Sequence, residues 1–123
     1  MGNWIEVQHS PIVAEDEESM ILVWHVYHGV MVEKRRRLRR NRFFTHWQEI
    51  DNEAWISVKD RAPTRDDADV YNCVIARNRW GDMMTAGWHR FAHETDLTDW
   101  QHPPAPPEDF LGLREKYEEE ELH

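Results

Sequence analysis

One motif occurs twice. Trp4-Ile5-Glu6-Val7, followed by Pro11, returns as Trp55-Ile56-Ser57-Val58, followed by Pro63, and Thr45-His46-Trp47 returns as Thr98-Asp99-Trp100. The offsets are 51 residues for the first Trp, 52 for the proline and 53 for the closing Trp. Three landmarks in one order at nearly constant spacing define two related units, residues 1–53 and 54–107, and this repeat constrains the fold more than any single element does.

Within the first unit, the β-branched and aromatic run Met20 to Tyr27 is separated by His28-Gly29 from Val30 to Lys34. That is the pattern of a β-hairpin, with Gly29 supplying the positive φ of its turn. Asn41 marks a second turn before a third strand that begins at Arg42-Phe43-Phe44. In the second unit, Val70 to Ala76 is the corresponding strand, the stretch around Gly81 connects it, and Met83 to Trp88 returns. Each unit reads as a small antiparallel meander, opened by Trp-Ile-x-Val and closed by a segment ending in Trp. A β-unit of about 50 residues seldom buries enough apolar surface to stand alone. The two are therefore expected to share a core in a mainly β, α+β fold, with the seven tryptophans supplying much of the buried area.

Pro103-Pro104-Ala105-Pro106-Pro107 ends the second meander as an extended segment. Residues 108–123 form an acidic tail in which Phe110, Leu111, Leu113 and Tyr117 can share one helical stripe. Glu118 to Glu121 sit at the carboxyl end, where the helix dipole opposes them, so the expectation is one or two docked turns followed by fraying. Leu122-His123 has the look of tag residues.

The longest apolar stretch, Met20 to Trp24, is too short to cross a bilayer, and no cationic-then-apolar leader opens the chain. A single cysteine, Cys73, excludes intramolecular disulfides and thiolate-rich metal sites and fits a reducing cytoplasm. It lies among Tyr71, Val74 and Ile75, as a core thiol does.

Charge is unevenly distributed. Lys34, Arg35, Arg36, Arg37, Arg39, Arg40 and Arg42 place seven cations and no acid in nine positions, whereas the whole chain has a formal charge of −9. Seven adjacent cations repel one another and call for a compensating anion. One reading is a ligand site for phosphate or an acidic protein surface, with arginine forks making bidentate contacts. The other is a solvated edge paired with Glu15 to Glu18 or with another subunit. Trp80 is a candidate for stacking on bases. Acid clusters at Glu15–Glu18, Asp66-Asp67-Asp69 and Glu118–Glu121 either solubilise the chain or imitate a phosphate backbone toward a basic partner.

His25 and His28 are three apart across a turn, and His89 and His93 have helical spacing in a stretch that reads as extended or irregular, so neither pair builds a four-ligand set. His46 reads as a hydrogen-bonded member of its closing segment. No phosphate loop or nucleophile elbow is present, and no cofactor or metal is expected. Asp60 and Arg61 suit an ion pair or a turn cap.

The second unit, Trp55-Ile56-Ser57-Val58-Lys59-Asp60-Arg61-Ala62-Pro63 through Thr98-Asp99-Trp100 and the Pro-rich close, resembles the phage and prophage family catalogued as domain of unknown function 551. Members open with Trp-Ile-x-Val-x-x-Arg-x-Pro and close with Thr-His-Trp. Here Asp99 stands where the family has His, while the first unit keeps His46 and has Ser10-Pro11 in place of Arg-x-Pro. The resemblance covers about 50 residues and implies a phage accessory protein in a bacterial host cytoplasm, with no assigned reaction.

The resulting expectation is a non-enzymatic protein that binds a bacterial protein through charged surfaces, for example a defence or nucleic-acid-processing complex. Direct nucleic-acid binding through residues 34–42 is the alternative, a metal-dependent hydrolase the third class, and pairing into a homodimer is compatible with each.

Overall fold

A computed structural model describes residues 4–9 and 18–122, which leaves Pro11 and Glu15 to Glu17 outside the described residues. The chain divides into two compact units, Met1–Glu49 with Ala105–His123, and Ile50–Pro104. The first contains β1 (Ile5–Glu6), β2 (Met20–His25), β3 (Gly29–Lys34) and β4 (Phe44–Glu49) in the sheet order β1-β4-β2-β3. The second contains β5 (Ile56–Ser57), β6 (Cys73–Asn78), β7 (Met83–Gly87) and β8 (Leu97–Gln101) in the order β5-β8-β6-β7. Among the described residues all pairings are antiparallel, and one α-helix, α1 (Phe110–Glu121), completes an α+β fold dominated by strands. No helix among the described residues is long and apolar enough to cross a membrane.

The two sheets match in register as well as in order. Val23 faces Trp47 and Ala76 faces Trp100, Trp24 faces Val30 and Arg77 faces Met83, each pair recurring 53 residues later. The pairing slips at equivalent points, between Trp24 and His25 and between Arg77 and Asn78. Ile5 and Ile56, the opening-strand partners of Trp47 and Trp100, are 51 apart. Turn hydrogen bonds recur too: the Arg35 N–H donates to the Ser19 carbonyl and the Trp88 N–H to the Asn72 carbonyl. Both hairpins turn at a glycine of positive φ, Gly29 (76°) and Gly81 (87°).

Alternation along the strands divides the side chains between faces. In the first unit Ile21, Val23, Leu38, Phe44 and Trp47 form one buried cluster, with Val7 and Met31 against it. Trp24 points the other way, its ring 6.1 Å from Trp4 and 5.5 Å from Phe110, both edge-on. In the second unit Ala76, Ala86 and Leu97 cluster with Met84 and Phe91.

The basic run leaves the sheet after Lys34: Arg35–Arg37 is a 3-10 turn, because burying Leu38 (1 % exposed) requires the chain to leave the sheet edge and turn inward. Trp88–Ala92, the counterpart 53 residues on, is likewise a 3-10 turn, a correction to the extended or irregular stretch expected there. The helix runs to Glu121 without fraying, since Tyr117 packs on Phe43 (6.0 Å) and donates its hydroxyl to the Arg42 carbonyl (3.1 Å), and Glu121 pairs with Arg42 (3.1 Å). Leu111 is 61 % exposed and lies off the docked stripe.

The Arg-x-Pro motif organises the second unit's long loop. Arg61 forms a two-point ion pair with Asp67 (2.9 and 3.2 Å), lies over the Trp100 ring (4.8 Å), and accepts the Trp100 indole N–H at its carbonyl (2.7 Å). Asp67 also accepts the Thr64 backbone N–H (2.8 Å) and meets His102 Nε2 (2.9 Å), so the acid that Arg61 uses is Asp67. The Arg61 guanidinium foremost, and then the Thr64 N–H, hold the Asp67 carboxyl well below the usual carboxylate range. A depressed carboxylate contributes stability that is present above the unfolded value of about 3.9 and is lost as pH falls through the folded value. Urea denaturation should therefore show Asp67→Ala less stable by about 1–2 kcal/mol at neutral pH, a difference that shrinks in acid.

Candidate functional site

The basic segment is neutralised locally. Lys34 and Arg36 share Glu18 (3.1 and 3.2 Å), Arg35 reaches Glu49 (3.5 Å), Arg37 reaches Glu33 (3.6 Å) and Arg42 reaches Glu121 (3.1 Å). At least five of its seven cations thus have a carboxylate within 4 Å among the described residues, which is the compensation their mutual repulsion calls for. Lys34 foremost, then Arg36, lower the proton affinity of Glu18. Arg35 also lies over the Trp47 ring (4.6 Å). Arg39 and Arg40 are exposed beyond the 3-10 turn.

Trp80 belongs to the other unit, at the tip of the β6–β7 hairpin. It is 64 % exposed, with the Arg79 guanidinium 4.4 Å over its ring and Arg79 held by Asp96 (3.0 Å). Asn78 fixes the turn by accepting the Trp80 and Asp82 backbone N–H groups (3.0 and 2.9 Å). Of the acid clusters, Asp67 and Asp69 serve the fold: Asp69 Oδ1 accepts the Tyr71 and Cys73 N–H groups (2.8 and 3.1 Å) beside Asn72, whose φ is 64°.

His25 and His28 come together, with rings 4.3 Å apart. His25 Nδ1 accepts the backbone N–H groups of Tyr27 and His28 (3.1 and 3.2 Å), so this nitrogen is committed to the turn. His89 lies within the 3-10 turn Trp88–Ala92 and His93 caps its end, and residues four apart on such a turn do not share a face. Among the described residues no group of three or more His, Cys, Asp or Glu is arranged to hold a metal ion. Cys73 opens β6 half-buried, and burial pushes its thiol up.

The first unit carries a groove of about 750 Å³ bounded by β1, β4, the end of the basic segment and α1. Its apolar lining is Val7, Leu38, Phe44 and Leu113; its cations are Arg39, Arg42 and Lys116; its carboxylates are Glu6, Glu108 and Asp109. A second hollow of about 380 Å³ adjoins it, sharing Glu6, His46 and Glu108 and adding Trp4, Ala105, Pro106 and Pro107. His46 Nδ1 lies 2.8 Å from the Thr45 hydroxyl, and burial lowers its proton affinity against the opposing pull of Glu6. Of the site residues expected from the sequence, Arg39 and Arg42 line this groove. The remainder of the lining needs residues 105–117 to return to the first unit, and no local pattern encodes that return.

No protein-family model, curated protein or solved structure matches this chain.

Burial foremost, and then the charge of His28, depress the proton affinity of His25. The unfolded chain therefore takes up its proton first, and stability falls as pH drops below the unfolded value of about 6.5. Thermal melts from pH 7.5 to 5 should show that decline. His25→Asn, whose side-chain oxygen can accept the same two N–H groups, should flatten it.

Proposed function

We propose that this chain is a small non-enzymatic binding protein whose target is another protein, engaged through the groove of the first unit and the charges around it. The carrying observation is the mixed lining: four apolar side chains with three cations and three carboxylates. A polypeptide segment offers apolar groups and both signs of charge, and complementary charge selects the right one. A phosphate backbone offers one sign and would meet Glu6, Glu108 and Asp109.

The paired state of the basic segment favours the same reading. Phosphates would first have to displace Glu18, Glu33, Glu49 and Glu121. Resemblance of the second unit to the phage and prophage family supports a bacterial partner in the host cytoplasm, in a defence or nucleic-acid-processing complex. One observation favours direct nucleic-acid binding as the second reading: the exposed Trp80, held in a fixed turn with Arg79 on one face, is a platform for a base.

The two readings separate in one pair of measurements. Immobilised protein should capture a defined protein from bacterial lysate, and Lys116→Glu, a charge reversal at an exposed groove residue, should release it without lowering thermal stability. Capture indifferent to this substitution, together with a low-salt gel shift of single-stranded DNA that Trp80→Ala removes, would replace the first reading by the second.

A further inference from the structure

We infer that β7 is where two copies of this chain join, strand to strand, in one antiparallel ladder centred on Thr85. β7 is an outer strand of the second sheet, paired with β6 on one side only among the described residues. The Asn78 N–H donates to the Asp82 carbonyl and the Trp88 N–H to the Asn72 carbonyl, which fixes the alternation between them. Met84 and Ala86 bond to β6, and the N–H and C=O groups of Met83, Thr85 and Gly87 point away from it. Among the described residues nothing bonds to those outward groups. The other outer strands are protected: β1 and β5 are two residues long, and β3, the counterpart of β7, carries Glu33 and Lys34, each in an ion pair. β7 has five residues with no charge, no proline and no bulge, and Met83, Met84 and Thr85 are partly exposed.

The strand is complementary to itself. With Thr85 on a two-fold axis, Met83 lies opposite Gly87, Met84 opposite Ala86 and Thr85 opposite Thr85 of the second copy. Each long side chain meets a small one, and the two hydroxyls come within reach of each other. Only this register gives every outward backbone group a partner within the strand: centring on Met84 leaves out Gly87, and centring on Ala86 leaves out Met83. A side chain at Gly87 would meet the His89 ring at 2.8 Å, so that ring stands over Gly87 on the sheet face, where Met83 of the second copy packs its thioether on it. Asp82, which has no ion pair among the described residues, comes beside the turn of the second copy that carries His89 and Arg90. The two Asp82 carboxylates stand at opposite ends of the ladder, so no like charges are opposed. β7 belongs to the second unit and would pair in this way whatever the groove of the first unit binds.

The test uses the whole chain. Sedimentation equilibrium should show reversible association from 14.9 kDa to twice that mass as the concentration rises, within a range up to about 1 mM. Thr85→Lys sets two ammonium groups against each other across the axis and leaves the bonds to β6 in place. It should stay at 14.9 kDa over the same range, with an unchanged melting temperature at low concentration. In a Cys73→Ala background, Thr85→Cys should form an interchain disulfide on mild oxidation, and Val70→Cys, at a more exposed position of the same unit, should not. Wild-type protein monomeric throughout, a dimer that survives Thr85→Lys, or cross-linking at Val70 as readily as at Thr85 would overturn the pairing. Monomeric protein whose capture of another protein from lysate is abolished by Thr85→Lys would assign the edge to a strand of that protein and overturn the two-fold pairing as well.

Discussion

Each sheet depends on where its closing strand enters. β4 and β8 do not add to an outer edge; each inserts between the opening strand and the first hairpin strand, so its tryptophan has a ladder partner on both sides, Ile5 and Val23 for Trp47, Ile56 and Ala76 for Trp100. A large ring held between two strands fixes the register, because a slip of one residue would turn it to the opposite face. The two-residue opening strands are too short to be stable alone, and they exist because the closing strand presents them with an edge.

One backbone thus supports two different coatings. The positions occupied by Trp24 and His46 in the first unit hold Arg77 and Asp99 in the second, with the same Cα pairing. Aromatic side chains there make an apolar surface that α1 covers through Phe110, whereas the ion pair of Arg77 and Asp99, with Trp55 below it, satisfies itself. The neighbouring threonine keeps one role in both, its hydroxyl 2.8 Å from His46 Nδ1 in one unit and from Asp99 Oδ2 in the other. Asp99 thereby replaces a histidine without loss of the local hydrogen bond.

The strands and hairpins were legible because they are written in local signals, alternation and glycine turns, and the repeat multiplied each signal by two. The turn within the basic run has no local signal, because charge dominates its composition. The residue that decides its path is Leu38, one apolar side chain among arginines, and its burial is a tertiary event. The persistence of α1 was hidden for a related reason: its last turn is held by Arg42, 79 positions away from Glu121. Arg39 and Arg42 could be named as site residues from charge alone. Trp4, Glu6, His46 and Glu108 could not, since what joins them is the return of the proline segment to the opening strand.

The opening strands repeat at 51 residues and the meanders at 53, so the second copy carries two more residues between its opening strand and its first hairpin. Extra length is absorbed there because both ends of the connection are anchored by ladders, and closing a longer connection costs only logarithmically more. In the second copy the added length is itself secured by Arg61 and Asp67. An architecture whose two copies differ in length only at this connection can accept insertions there while the spacing of the meander residues is preserved, which makes it the natural position for grafting foreign sequence onto this scaffold.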